Sequence, residues 1–238
     1  MARFGALPDD VRAVVLTGAS GTFVSGGDLR ELSEVSDRAS TEAFCDLGRQ
    51  MCDAIEDAIG RSTEMGRPVL YVTGIEEVQD MMTLASLLIL GHVAELTAAY
   101  DTEIKVANYY PLTMVVAEEV VRAGYAKAGR ADAHRPENVL FITAEQFAFA
   151  AGVSGIILRD RPATNIYFGT FYGESLLLAE TGFLTGAVQI AGTAELTQLP
   201  FFITACDYTL IGEELYAASA YLTKEPTLLA NLKARSEE

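Results

Sequence analysis

Apolar positions along the chain alternate between short buried runs and longer stretches with helical spacing. Residues 11–18 form a compact apolar run closed by Gly-Ala-Ser-Gly, which predicts a buried strand entering a turn. Residues 28–59 carry helical spacing, with Leu29, Leu32 and Val35 followed by Phe44, Leu47, Met51 and Ile55, and Gly60 is the expected stop. Residues 68–74 read as a second buried strand, 79–100 as a strongly apolar helix and 102–108 as a third strand. A helix over 112–128, a strand over 138–143, a short helix over 145–151 and a strand over 155–158 follow.

Strands alternating with helices predict an α/β fold, a mostly parallel sheet with helices on both faces, either Rossmann-like or crotonase-like. At 238 residues the chain suits one large domain, or a short segment 1–53 packed with an α/β domain over 54–238. From residue 162 to 223 there is no lysine or arginine, although glutamates and an aspartate recur. One reading is a set of core elements with solvated acids at their ends. The other is a surface covered by a partner subunit or lying beside a membrane.

Charge narrows the choice of partner. A formal net charge of −16 excludes nucleic acid, whose phosphates need clustered Lys and Arg. It also opposes an anionic membrane surface. The three cysteines, Cys45, Cys52 and Cys206, form no Cys-x-x-Cys pair, and His92 and His134 are the only histidines. No metal site, cofactor or disulfide framework is expected. No uninterrupted apolar run reaches the roughly 18 residues of a spanning helix. The default is a soluble cytoplasmic protein, with membrane association arising only through a partner or through flanking helices.

The string Phe23-Val24-Ser25-Gly26-Gly27-Asp28-Leu29 resembles the oxyanion-hole turn of the crotonase (enoyl-CoA hydratase/isomerase) superfamily. That resemblance implies an acyl-CoA ligand held at Ser25, Gly26 and Gly27, with the Ser25 N–H as one donor to the thioester oxygen. Further on, Gly91-His92-Val93-Ala94-Glu95-Leu96 runs in step with the family's second motif. It implies His92 N–H as the second donor and Glu95 as the acid/base. Two of that motif's three glycines are replaced, and Gly91 lies inside the predicted helix, where an N–H is already bonded. The second catalytic glutamate of hydratases has no counterpart near Val115 and Val116.

The larger part resembles an uncharacterised bacterial domain family usually flanked by transmembrane helices. The resemblance is carried by Asp57-Ala-Ile-Gly-Arg-Ser-Thr-Glu-Met-Gly-Arg-Pro-Val-Leu-Tyr-Val72, by residues 172–182 and by residues 201–222. The two resemblances meet near residues 52–57, as they would in a chimera. Other chemistry is poorly supported: Thr22 stands where a short-chain dehydrogenase turn needs glycine, and no Walker-type loop is present. The glutamates at 174, 180, 213 and 214 read as solvated carboxylates at helix starts or sheet rims. Two functions are therefore expected. One is a non-catalytic binding or scaffold module that forms a homo-oligomer. The alternative is an acyl-CoA enzyme of crotonase type.

Overall fold

A computed structural model describes residues 38–212 and 214–223. Helix α1 (Arg38–Met65) precedes strand β1 (Val69–Val72), and α2 (Met81–Ala99) leads to β2 (Ile104–Asn108). After α3 (Pro111–Lys127), two 3₁₀ turns, Ala131–Ala133 and Pro136–Asn138, deliver the chain to β3 (Val139–Phe141). There follow α4 (Gln146–Asp160), β4 (Thr164–Phe168), α5 (Glu174–Thr185), β5 (Val188–Thr193), α6 (Leu199–Ala205), β6 (Tyr208–Ile211) and α7 (Glu214–Thr223).

All six strands are parallel, in the order β3-β2-β1-β4-β5-β6. This is the doubly wound order of the Rossmann fold, in which the winding direction reverses between β1 and β4. Successive strand residues face opposite layers. Val69, Tyr71, Ile166, Phe168 and Ile190 pack on one side, while Leu70, Val72, Tyr167 and Ala191 pack on the other. The first layer is made by α1, α2, α3 and α7, and the second by α4, α5 and α6. Helices α1 and α7 pack on each other over the half of the sheet that α2 and α3 leave open.

Helix α1 is amphipathic: Met51, Ala54, Ile55, Ala58, Ile59 and Ser62 are buried at helical spacing. The Ser62 and Thr164 hydroxyls meet at 2.9 Å and tie it to β4. The helix does not stop at Gly60, whose outer face is open; it ends at Gly66, which adopts φ +60°. It also runs unbroken across residues 53 and 54, where the two resemblances meet.

A second correction concerns residues 155–158, which are helical: one helix, α4, spans Gln146–Asp160. Gly152 lets it lie against Ile142, whose Cγ2 is 2.5 Å from where a Cβ would stand. The apolar helix α2 is long and apolar enough to cross a membrane, yet over half of its apolar window is buried inside the fold. Its apolarity is that of a core helix. The predicted strand over 11–18 lies outside the described residues.

Candidate functional site

In doubly wound sheets, ligands sit outside the carboxyl ends of the strands where the winding reverses. Here that place lies between the loops after β1 and β4. Gly74 (φ +81°) and Gly169 (φ +132°) put these loops in backbone contact. A Cβ on Gly169 would stand 2.5 Å from the Thr73 carbonyl oxygen, and one on Gly74 would stand 2.7 Å from that of Thr170. The Ile75 N–H donates to the Thr170 carbonyl at 2.9 Å, so strand-like pairing continues past the sheet. The crevice is closed by main chain.

Its surroundings are acidic. The loops at the carboxyl end carry Glu76, Glu77, Asp80, Glu145 and Glu195 and not one lysine or arginine. Helix starts in a doubly wound fold offer free N–H groups that would suit phosphate, but carboxylates of the chain's own stand at the starts of α2 and α5. Asp80 accepts from the Thr83 N–H at 2.9 Å and from the Thr170 hydroxyl at 3.1 Å. Glu174, fully buried, accepts from the Tyr172 N–H at 2.8 Å and from the Gln146 amide at 2.6 Å. Its placement at a helix start matches the sequence reading, but its burial does not. Tyr172 donates its hydroxyl to Glu76 at 3.1 Å.

Basic side chains gather at the opposite, amino end of the sheet, at helix C-termini or strand starts. Arg67 donates to the Arg161 and Pro162 carbonyls, Lys105 pairs with Asp160 at 2.8 Å, and Arg130 pairs with Asp101 at 2.6 Å. Acids at helix starts and bases at helix ends both complement the helix dipoles. Acids occur at both ends, Asp101 and Asp160 among them at the amino end, but the loops at the carboxyl end lack bases, which leaves that end hostile to anions.

Glu214 opens α7 and accepts from the Ile211 N–H at 2.7 Å, and burial raises its carboxyl above the usual range. A raised native value means that the folded state holds the proton longer than the unfolded chain. Its contribution is therefore present below the ordinary glutamate range and lost as pH rises through the raised value. A Glu214→Gln variant should gain stability relative to wild type between pH 4 and pH 7 in urea unfolding. A constant difference between the two proteins across that range would contradict this.

The sequence-predicted site is not assembled among the described residues. Ser25, Gly26 and Gly27 lie outside them. His92 and Glu95 sit in the interior of α2, so the His92 N–H belongs to the helix's own hydrogen-bond ladder and is not free for an oxyanion. The Glu95 carboxylate is held by Lys127 at 2.6 Å. Burial lowers the His92 imidazole below its usual range. Gly124 of α3 has a packing explanation: a Cβ on it would stand 2.9 Å from the Gly91 carbonyl oxygen and 2.8 Å from Ala94 Cβ, whereas a Cβ on Gly91 would make only ordinary contact with Val120. Gly91 and Gly124 lie where α2 and α3 cross closely.

Cys52 and Cys206 are both free, and burial pushes the Cys52 thiol up to about 11 and the Cys206 thiol higher still. Both are poor nucleophiles near neutral pH. Among the described residues, no three His, Cys, Asp or Glu side chains converge to hold a metal ion. The His134 ring lies against Tyr125, and both its ring nitrogens are shielded from water without a partner among the described residues.

The outer surface of α4 and α5 has a different character. Phe147, Leu158, Leu176 and Leu177 are exposed there, and Phe183 and Leu184 are 67% and 75% exposed. Arg159 and Glu180 are the exposed charges on these two helices, so the face is neutral. The helices pack side by side, with the Thr181 hydroxyl donating to Ser154 at 3.3 Å. The stretch without Lys or Arg from residue 162 to 223 takes in α5 but not α4. The individual side chains were not legible, because a Leu-Leu-Leu run does not say which leucine faces out.

A family model described as Domain of unknown function (DUF6754) matches residues 47–237. The chain belongs to that family. No curated protein and no solved structure matches it. The DUF6754 match takes in every described strand and begins within α1. The crotonase resemblance of residues 10–53 rests on its string alone.

Proposed function

We propose that this DUF6754 domain is a non-catalytic α/β binding or scaffold module that self-associates through the outer face of α4 and α5. The observation that carries this reading is the exposed, neutral apolar face with Phe183 and Leu184 at one end and Phe147 at the other. Apolar surface concentrated in one patch favours burial against a partner. A second copy suits it because a two-fold contact needs only a self-complementary patch. For a chain of net charge −16, a neutral face is where two copies approach with least repulsion. The closed crevice between β1 and β4, acid-lined and filled with internal hydrogen bonds, supports a role in contact rather than in nucleotide chemistry. The crotonase-type alternative gains no support from α2, where the His92 N–H and the Glu95 carboxylate are already engaged.

Hydroxyl-radical footprinting at rising protein concentration tests the face directly. Phe147 and Phe183 should be oxidised freely in dilute solution and protected at high concentration, while exposed Leu112 on α3 keeps a constant rate. Equal, concentration-independent oxidation of all three would contradict the proposal.

A further inference from the structure

A half-open cavity of about 440 Å³ lies at the amino end of the sheet, far along the strand axis from the closed crevice. It is formed where α2 and α3 end and where the two 3₁₀ turns lead into β3. Its size is in the range of small-molecule sites, roughly 300 to 1,000 Å³. Tyr125 forms one wall, stiffened by the His134 ring packed behind it with centroids 5.8 Å apart.

The charges lining the cavity are of both signs, and they are not all used. Arg130 is tied to Asp101 at 2.6 Å, and the Asn138 amide donates to Glu103 at 3.1 Å. Arg135 and Asp132 also line the cavity, yet neither side chain makes a hydrogen bond or ion pair among the described residues. A free guanidinium and a free carboxylate that share a cavity without meeting each other are matched by a ligand carrying both complements.

We propose that this cavity binds a small zwitterion of the α-amino-acid class, its carboxylate on Arg135 and its ammonium on Asp132. A purely anionic ligand would face three acids, Asp101, Glu103 and Asp132, together with the negative ends of α2 and α3. A simple amine would leave Arg135 without a partner. A guanidinium pairs with a carboxylate through two parallel donors, which fixes orientation as well as affinity. This site is separate from the α4–α5 face and does not depend on the reading given to it.

Calorimetric titration of the full chain with single L-α-amino acids, and with propylamine and propionate as half-ligands, tests the proposal. At least one amino acid should saturate the protein, with both half-ligands binding at least tenfold more weakly. Asp132→Asn and Arg135→Ala should each weaken that amino acid at least tenfold. Both side chains are exposed, so both variants should melt as wild type does. The proposal fails if no amino acid saturates, if a half-ligand binds as well as the zwitterion, or if binding is undiminished in either variant.

Discussion

Replacing Gly169 with alanine is expected to cost at least about 3 kcal/mol of stability, a fall in melting temperature of roughly 6 to 12 °C for a domain of this size. Two costs add. The residue sits at φ +132°, a conformation that L side chains rarely adopt. The new methyl would also stand 2.5 Å from the Thr73 carbonyl oxygen and 3.0 Å from its carbon. Those atoms are main chain at the end of β1, so no side-chain rotation relieves the clash. Separating the loops would also break the Ile75 N–H bond to Thr170. Gly129 is the control, because it has φ +72° with nothing within 4 Å of a Cβ. Gly129→Ala should cost only about 1 kcal/mol. Equal melting temperatures for the two variants would show that the crevice is not held closed by backbone contact.

How much of this was legible beforehand follows from where the determining contacts lie. Local pattern located β1 through β3 and the helices between them, because short apolar runs and long amphipathic ones differ in length as well as period. It misplaced residues 155–158, since Gly-Ile-Ile-Leu is equally apolar as a strand or as the last turn of a helix. What decides is tertiary burial, which puts Val153, Ile156 and Ile157 in the core and leaves Leu158 exposed, a helical pattern that the run itself does not show. Gly60 misled for a related reason: a glycine on the solvent side of a well-packed helix costs about 1 kcal/mol, less than the burial of Ile55 and Ile59 contributes.

The candidate site was less legible than the fold. Gly91, Glu95 and Leu96 matched a catalytic string, while in the fold all three lie inside α2 and the Glu95 carboxylate is held by Lys127. Glu174 was expected in solvent, because spacing cannot reveal that the Gln146 amide and the Tyr172 N–H enclose its carboxylate. The cavity beside Arg135 had no signal at all. It is assembled from the ends of α2 and α3 and two short turns, none of which has a motif.

The other large effect concerns the α4–α5 face. Leu184 is its most exposed apolar side chain and Phe183 beside it is as exposed as Phe147; in a two-fold contact Phe183 and Leu184 would each be buried twice, once per copy. Aspartate at both positions places four new carboxylates in the interface of an already acidic protein. At about 1 kcal/mol for each of the four buried side chains, the loss is about 4 kcal/mol, roughly a thousandfold in dissociation constant. The monomer should be untouched, since neither side chain belongs to the core.

Sedimentation equilibrium of the wild-type chain beside the Phe183→Asp/Leu184→Asp variant is therefore the most direct measurement. The account predicts a wild-type mass that rises with concentration to a multiple of the 25.6 kDa chain, and a variant that stays at the single-chain mass with unchanged melting. A wild-type protein that stays monomeric at every concentration, or a variant that associates as wild type does, would contradict it.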